Sequence, residues 1–228
     1  MEPEIFREYL EGFQKAYPEK FVSEDQIFSH IRRGDHIFVA SGCGEPQYLV
    51  QAMIRYVESN PKAFFDAEII HVYSLGLAPY TGVKYKANFR HNSFFIGNST
   101  RESVNAGLAD YTPVSLSQVP ALISSGIVPI DVALIQTSMP DEHHFLSLGV
   151  SVDIVKAATE KAKIVIAQIN PNMPRIHGDG FIHIKDIDFI VPYDEPLLEV
   201  PKTKTNEVIK TIGKNVARLV QNGDTIQV

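Results

Sequence analysis

The sequence predicts an α/β fold in which helices flank an open, mostly parallel sheet. Short apolar runs of strand length alternate with amphipathic segments of helical length along most of the 228 residues, and this alternation is typical of strand–helix–strand units. The helical pattern stops between Gly178 and Val200, where two short apolar runs predict a small β excursion at one edge of the sheet.

The predicted helices are identified by apolar residues at helical spacing and by residues that favour a helix start. Residues 4–17 form the first helical pattern, and Ser23 and Gln26 have the capping-box spacing that opens a short second helix. Pro46 suits the first turn of a third helix, whose apolar face consists of Leu49, Val50, Met53, Ile54 and Val57. The remaining helices are predicted over residues 101–107, 117–125, 151–162 and 205–221.

The predicted strands are short and mostly apolar, as expected of strands that are buried on both faces of a parallel sheet. The first covers Asp35 to Ser41 and leads into a glycine-containing segment. The others are predicted over residues 67–73, 93–97, 132–137, 164–169, 181–184 and 189–191.

Composition and charge argue against several classes of protein. A net charge of −6 offers no electrostatic basis for binding nucleic acid. No apolar run approaches the roughly 20 residues that a membrane helix needs, and the acidic N-terminal residues lack the basic and then apolar order of a signal peptide. Cys43 is the single cysteine, so no intrachain disulfide can form, which is typical of a reducing compartment. We therefore expect a cytoplasmic protein without nucleic-acid or membrane partners.

The segment Gly42-Cys-Gly-Glu-Pro46 lies between the first predicted strand and the third predicted helix. Glycines allow a ligand to approach main-chain N–H groups closely, and the N-terminus of a helix favours an anion. The segment matches neither the dinucleotide fingerprint nor a P-loop, so a plain strand-to-helix turn is the alternative interpretation. Gly42, Gly44 and Pro46 are the candidate binding residues here.

Residues 138–149 follow the strand predicted over 132–137, at the edge of the sheet where ligands bind in this fold class. Ser138, Asp141 and His143 are candidates to line the cleft. Neighbouring acids and imidazoles suggest a metal or an acid–base pair, but adjacent residues rarely converge on one ion. We therefore predict no metal site, and a polar turn capped by Asp141 is the alternative.

Residues 170–180 follow the strand predicted over 164–169, and their prolines and glycines indicate an irregular loop at the same edge. Arg175 is a candidate to bind carboxylate or phosphate through its planar guanidinium. His177 and Gly178 are candidate neighbours. An Arg175 paired with Asp179 or another local acid is the alternative.

A polar segment after the strand predicted over 93–97 adds Asn98 as a candidate at the same edge. Its alternative interpretation is helix capping by Ser99 or Thr100.

The end of the chain repeats a pattern from its beginning. Four residues near the start recur at a constant offset near the end, namely Gly34, Asp35, Ile37 and Val39 as Gly223, Asp224, Ile226 and Val228. In the first copy the turn and strand lead into a loop and a helix. We therefore predict a first domain over residues 1–202, and a linker helix with the first strand of a truncated second domain over residues 203–228.

Five motifs occur in the same order as in a known family. They are Gly34-Asp35, residues 41–46, residues 101–113, residues 138–149 and residues 172–178. Across about residues 5–228 the chain resembles the N-terminal domain of the acetyl-CoA hydrolase/transferase family, in particular 4-hydroxybutyrate and acetate or butyrate CoA-transferases.

The resemblance implies a class I CoA-transferase fold and a glutamyl-CoA thioester mechanism with short-chain acyl-CoA and carboxylate substrates. In the family the catalytic glutamate lies in the C-terminal domain, so no catalytic residue is predicted in this chain, and neither Glu45 nor Glu142 is a candidate. Coenzyme A is expected as a substrate, with no permanently bound cofactor. The expected partners are the missing C-terminal domain and further copies in a homo-oligomer.

The resemblance also assigns expectations to particular residues. It implies that the Gly42–Pro46 segment and Arg175 face the acyl or carboxylate substrate, with His177 as a supporting neighbour. His144 departs from the family, which usually has glycine there, so the turn is expected to be altered or strained if φ is positive. Hydrolysis of acyl-CoA by the same route, and a non-catalytic binding module, are the alternative functions.

Overall fold

The computed structural model describes residues 3–200, 202 and 204–227. The chain divides into two compact units, Met1–Leu198 and Glu199–Val228. The first unit contains the sheets and most of the helices, and the second contains one helix. No helix in the described part of the chain is long and apolar enough to cross a membrane.

Seven of the strands form one parallel sheet in the first unit. The predicted α/β fold with an open parallel sheet is therefore confirmed. The strands of the described residues are β1 (His36–Val39), β2 (Ala67–His71), β3 (Phe89–Ser93), β4 (Ala109–Tyr111), β5 (Val132–Thr137), β6 (Phe145–Ser147), β7 (Ile164–Ile169), β8 (Phe181–His183) and β9 (Phe189–Pro192).

The strand order places the crevice of the sheet beside β1. From β1 the chain continues through β2, β3 and β4 on one side, and it then returns to β5, β7 and β9 on the other. The order therefore reverses between β1 and β5. In open α/β sheets, ligands bind at the carboxyl ends of the strands at this point. The loops after β1 and β5 flank it.

Helices cover both faces of the sheet because successive side chains of each central strand point to opposite faces and most are apolar on both. Ile37 and Val39 of β1 pack in one core with the helices Glu24–Phe28 and Gln47–Ser59, whereas Phe38 packs in the other with the helices Pro3–Ala16, Val119–Ser124 and Val155–Lys161. This double burial explains why the strand reads as an uninterrupted apolar run. The helices are α1 (Pro3–Ala16), α2 (Glu24–Phe28), α3 (Gln47–Ser59), α4 (Arg101–Asn105), α5 (Val119–Ser124), α6 (Val155–Lys161) and, in the second unit, α7 (Glu207–Ala217).

The capping box predicted before α2 is present. The Ser23 hydroxyl accepts a hydrogen bond from the Gln26 N–H at 3.3 Å, and the Gln26 side chain accepts one from the Ser23 N–H at 3.2 Å. The two bonds satisfy N–H groups that the first turn of a helix otherwise leaves without partners.

The strand predicted over 93–97 is wrong, because β3 occupies Phe89–Ser93 instead. Arg90 and Asn92 interrupt its apolar pattern, and both use their polar ends on neighbouring strands. Arg90 pairs with Asp110, and the Asn92 amide donates to Glu68 at 2.9 Å. A strand with these polar residues lacks the apolar run by which its neighbours are recognised.

The predicted β excursion consists of β8, which pairs antiparallel with β6 in a separate two-stranded sheet. The second apolar run assigned to that region forms β9, which pairs in parallel with β7 and so extends the main sheet.

The second unit contains α7, whose apolar side chains are exposed. Val208, Ile212 and Val216 are 66%, 56% and 56% exposed. Asn206 caps the helix, since its side-chain oxygen accepts the Ile209 N–H at 2.9 Å. Residues 218–227 form a turn and irregular structure but no strand, and Val228, the end of the predicted strand, lies outside the described residues.

The turn before β1 and the turn at residues 221–224 have the same geometry. In the first, Asp35 Oδ2 accepts the Arg32 N–H at 2.7 Å, and in the second Asp224 Oδ2 accepts the Gln221 N–H at 2.8 Å. The glycine before each aspartate has a positive φ, 76° and 95°. The sequence repeat is therefore also a repeat of local structure.

Candidate functional site

The loop after β1 contacts the segment that follows β6. Gly42 has a φ of 62°, which favours glycine. A Cβ on Gly44 would lie 2.3 Å from the Ser151 Cβ, so a larger residue would collide there. The Ser151 hydroxyl donates to the Ser41 carbonyl oxygen at 2.8 Å and holds the two segments together.

Glu45, which is 1% exposed, anchors the loop after β1 to the segment that follows β2. Its carboxylate accepts hydrogen bonds from the Leu75 and Gly76 N–H groups, both at 3.0 Å, and from the Ser74 hydroxyl at 3.3 Å. Burial raises the pKa of Glu45 to about 7, although these hydrogen bonds act in the opposite direction. The carboxylate thus fixes the segment after β2.

The start of α3 already has polar partners from the chain itself. Pro46 is buried at its N-cap position. The Tyr48 N–H donates to the Glu195 carboxylate at 3.3 Å, and the Leu49 N–H donates to the Gln168 side-chain oxygen at 3.4 Å. An anion that used these two N–H groups would have to replace Glu195 and Gln168.

The loop after β5 is organised by Ser138 and Asp141. The buried Ser138 hydroxyl accepts the Ser147 N–H at 2.9 Å. Asp141 Oδ1 accepts the N–H groups of His143 at 2.9 Å and Phe145 at 2.8 Å. These contacts match the alternative interpretation of a polar turn capped by Asp141.

Electrostatics favour the charged form of Asp141. Partial burial raises the pKa of this carboxyl, but the hydrogen bonds from Phe145 and His143 and the nearby Arg175 outweigh that effect, so the pKa lies below its usual value. The exposed His143 side chain points to Glu142, with 3.6 Å between Nε2 and Oε1.

His144 adopts the positive φ that the family's glycine suggested. Its φ is 67°, a conformation that strains a residue with a Cβ. The ring nitrogen Nδ1 lies 2.7 Å from the Tyr17 hydroxyl, and the ring packs edge-on against Phe13 at 5.3 Å and parallel to His183 at 6.1 Å. These contacts compensate for the strained backbone.

Arg175 joins the loop after β7 to the loop after β5. Its guanidinium pairs with Asp141, donates to the Phe145 carbonyl oxygen at 3.1 Å and lies over the Phe181 ring at 4.6 Å. Its acidic partner is therefore Asp141, whereas Asp179 pairs with Lys156. The Arg175 side chain remains 42% exposed.

Three further candidates lie on the surface. His177, Gly178 and Asn98 are exposed. Gly178 has a φ of 101°. Thr100 occupies the N-cap position of α4 without a side-chain capping bond, while the Ser99 hydroxyl donates to the Ser74 carbonyl oxygen at 3.1 Å. The segment that contains Asn98 therefore contacts the segment held by Glu45.

The candidates fall into two groups that share one edge of the sheet. Gly42, Gly44 and Pro46 surround the end of β1, whereas Asp141, His143 and Arg175 surround the loop before β6. In the described part of the chain, no group of three or more His, Cys, Asp or Glu side chains is arranged to hold a metal ion.

Sequence reasoning did not identify the buried amides between these groups. Gln136 and Gln168 are neighbours in the register of β5 and β7, and both are buried. Asn170 is the first residue after β7 and is fully buried. A glutamine near the end of each of two apolar strands was the available signal, but only the register shows that the two residues lie side by side.

Comparison with known proteins identifies relatives along almost the whole chain. The family model described as "Acetyl-CoA hydrolase/transferase N-terminal domain" matches residues 6–200. The chain is 43% identical to the 4-hydroxybutyrate coenzyme A transferase of Clostridium kluyveri, over 94% of this chain and 49% of that protein. It is 32% identical to the succinyl-CoA:acetate/propanoyl-CoA:succinate CoA transferase of Fasciola hepatica, over 96% of this chain and 47% of that protein.

Solved structures share the fold. RipA from Yersinia pestis superposes with a TM-score of 0.83 at 25% identity, over 92% of this chain and 50% of that one. A 4-hydroxybutyrate CoA-transferase from Porphyromonas gingivalis gives a TM-score of 0.75 at 29% identity, over 93% of this chain and 49% of that one. The chain spans about half the length of the curated relatives it matches.

Proposed function

Because the chain belongs to the acetyl-CoA hydrolase/transferase family, we propose that it forms half of an enzyme that transfers CoA from a short-chain acyl-CoA to a carboxylate such as acetate. The acyl group is acetyl, butyryl or 4-hydroxybutyryl. The observation that carries this proposal is the 43% identity, along 94% of the chain, to a protein named as a 4-hydroxybutyrate coenzyme A transferase.

The proposed reaction proceeds through a carboxylate nucleophile from outside the 228 residues. A glutamate oxygen attacks the thioester carbonyl, and the C–S bond breaks to leave an acyl–glutamyl anhydride and CoA thiolate. The thiolate attacks the glutamyl carbonyl, which forms a glutamyl-CoA thioester and releases the first carboxylate. The acceptor carboxylate then takes the CoA by the reverse steps. Covalent catalysis of this kind divides a difficult exchange into easier ones.

Within this reaction the chain supplies one wall of the cleft. The main chain at Gly42, Gly44 and Pro46 lies beside the acyl group. Arg175 contacts the substrate carboxylate, a role supported by its partly exposed guanidinium, which Asp141 and Phe181 hold in place. His177 is a neighbouring contact. Glu45 is not the nucleophile, because its carboxylate is buried and committed to three donors.

The setting of the enzyme is part of the same proposal. It works in the cytoplasm as a homo-oligomer, with CoA as a substrate and without a permanently bound cofactor. The rest of the cleft comes from a C-terminal domain, which is consistent with relatives about twice the length of this chain.

The test is to express the protein encoded by the coding sequence read beyond residue 228 and to supply it with butyryl-CoA or 4-hydroxybutyryl-CoA and acetate. We expect acetyl-CoA to form, as measured by chromatography, and the 228-residue chain alone to be inactive. Turnover by the 228-residue chain, or failure of the longer protein with every acyl-CoA and acid tested, would contradict the proposal.

Hydrolysis of acetyl-CoA is the alternative, because the matched family includes hydrolases. The same route then ends with water as the acceptor. Release of free CoA at an equal rate with and without added carboxylate would favour hydrolysis. Tight binding of a small anion by the 228-residue chain, measured by calorimetry, would instead favour a non-catalytic binding module.

A further inference from the structure

Buried amides connect the ends of β5 and β7 to the loop after β1. Gln136 is 3% exposed, and Gln168 and Asn170 are fully buried. The Asn170 amide donates to the Gln136 side-chain oxygen at 2.6 Å, and the Gln136 amide donates to the Glu45 carbonyl oxygen at 3.2 Å. The Glu45 carbonyl lies within the Gly42–Pro46 segment, so Gln136 contacts the candidate binding loop directly and Asn170 supports Gln136.

The segment after β9 closes the network from the other side. The Asn170 amide also donates to the Glu195 carbonyl oxygen at 2.8 Å. The Glu195 carboxylate accepts the Gln168 amide at 2.5 Å and the Tyr48 N–H at 3.3 Å. Glu195 therefore joins the end of β7 to the first turn of α3.

Aromatic stacking strengthens this closure. The Tyr193 ring stacks on the Tyr48 ring, with 3.7 Å between centroids and 16° between planes. Tyr193 and Glu195 therefore both fix Tyr48, one through its ring and the other through its backbone N–H. The start of α3 and the loop before it are held from two directions.

The composition of the network is unusual for the centre of a sheet. Burying an amide is unfavourable unless its hydrogen bonds are made, and an apolar side chain of similar size fills the same space without that requirement. Apart from the bond between Asn170 and Gln136, the three amide side chains of the network donate to Glu45 in the loop after β1 and to Glu195 in the segment after β9, and Gln168 accepts the Leu49 N–H in the first turn of α3. The network therefore specifies loop geometry, which packing alone does not.

We propose that Gln136, Asn170 and Glu195 are positioning residues that hold the Gly42–Pro46 loop and the start of α3 in the geometry required for substrate binding. This inference rests on the proposed CoA transfer. None of the three residues needs to touch the substrate, because each acts through the loop.

The first test measures the loop in the 228-residue chain by hydrogen exchange. In Glu195→Ala, residues 41–49 should exchange about fivefold to tenfold faster, as expected when one or two hydrogen bonds are lost. Glu195→Gln keeps a side-chain oxygen at this position and should restore most of the protection. The exposed Glu199→Gln is the control and should change nothing. Unchanged exchange over residues 41–49, or equal acceleration throughout β5 and β7, would overturn the proposal.

The second test measures catalysis in the longer protein. Glu195→Ala should raise KM for the acyl-CoA or the carboxylate about tenfold while the midpoint of thermal unfolding changes little. Gln136→Leu should raise the same KM and also lower the unfolding midpoint, because the buried Asn170 amide and Glu45 carbonyl each lose a partner. Wild-type KM and kcat in both variants would overturn the positioning role. If the wild-type longer protein transfers no CoA, the proposed function fails, while hydrogen exchange still decides whether the network holds the loop.

Discussion

The Glu45 carboxyl is buried, and its ionisation links folding to pH. Its pKa is raised from 4.5 to about 7 by burial. The folded state therefore binds the proton more tightly than the unfolded state. The stabilisation is fully present below pH 4.5 and is lost as pH rises through 7.

Replacing Glu45 by Gln should remove this dependence while keeping a similar shape and one acceptor oxygen. Relative to Glu45→Gln, the wild type should lose about 2–3 kcal/mol of unfolding free energy between pH 5 and pH 8. Urea denaturation at the two pH values measures the difference, and the exposed Glu142→Gln serves as control. A difference that does not vary with pH would show that Glu45 titrates normally.

His144 has a strained backbone and favourable ring contacts, and two substitutions separate these effects. His144→Ala and His144→Gly both lose the contacts with Phe13, Tyr17 and His183, but only glycine relieves the positive φ. We expect both variants to be less stable than the wild type. The free energy of unfolding of His144→Gly should be about 1 kcal/mol higher than that of His144→Ala. Thermal unfolding measures both differences. A His144→Ala variant as stable as the wild type would mean that the ring contributes nothing, because alanine keeps the strained φ.

Residue-scale predictions from the sequence succeeded where chemistry is local. The capping box at Ser23 and the turn capped by Asp141 depend on residues within a few positions, and both are present. The partner of Arg175 is Asp141, 34 positions away, whereas the sequence suggested Asp179 or another local acid. A long-range partner depends on the fold, which single residue types do not encode.

At the scale of elements, the loop after β1 and the segment after β6 fit together with no spare space at Gly44. Gly44→Ala should therefore destabilise the protein by about 1–3 kcal/mol, since the new methyl overlaps the Ser151 side chain. Gly12→Ala is the matched control, because Gly12 lies within α1 with nothing within 4 Å of an added Cβ. The control should be stabilised by up to about 1 kcal/mol.

Chemical denaturation of the two variants measures both effects. Equal effects of the same substitution at both positions would contradict the close approach. Combining Gly44→Ala with Ser151→Gly should recover part of the lost stability, because it removes the overlapping Cβ. The recovery should be incomplete, since the Ser151 hydroxyl bond to Ser41 is also lost.

Element bounds were predictable where burial is complete. The predicted strands 132–137 and 164–169 coincide with β5 and β7, which are central and nearly all buried. β3 and β4 lie towards one edge and carry Arg90, Asn92 and Asp110, so their pattern was not recognised. An edge strand needs one apolar face at most, and its sequence is correspondingly less distinctive.

At the scale of the whole molecule, two buried histidines change the pH dependence of stability in the direction opposite to Glu45. Burial lowers the pKa of His91 to about 4 and lowers that of His71 well below its usual value. The unfolded chain therefore takes up protons near pH 6.5 that the folded chain does not. Stability falls as pH decreases from 6.5 towards the folded pKa.

His91→Leu should remove part of this acid sensitivity. The wild type should lose about 2 kcal/mol more than the variant between pH 7 and pH 5, from the His91 shift alone. Urea unfolding at the two pH values gives the comparison, with the exposed His143→Leu as control. Parallel loss of stability in wild type and His91→Leu would contradict the buried, neutral histidine.

The α/β class of the whole molecule followed from the alternation of helices and strands, whereas the strand order did not. That order decides that the loops after β1 and β5 flank the crevice and that Gln136 lies beside Gln168. Most candidate residues lie in loops at one edge of the sheet because the carboxyl ends of parallel strands share that edge. The network behind those loops required the register, so it was not predictable from one sequence.

The two matching turns, one before β1 and one at residues 221–224, separate what a short segment encodes from what its surroundings decide. Four residues are enough to form the turn, because the aspartate accepts a backbone N–H within it and the glycine adopts the positive φ that it requires. A strand, in contrast, depends on hydrogen bonds to neighbouring segments of the chain. After the first turn the chain forms β1, which pairs with β2 on one side and β5 on the other. After the second turn, residues 225–227 form irregular structure. Two similar segments thus form the same turn, but only the first continues into a strand, and that strand is paired on both sides.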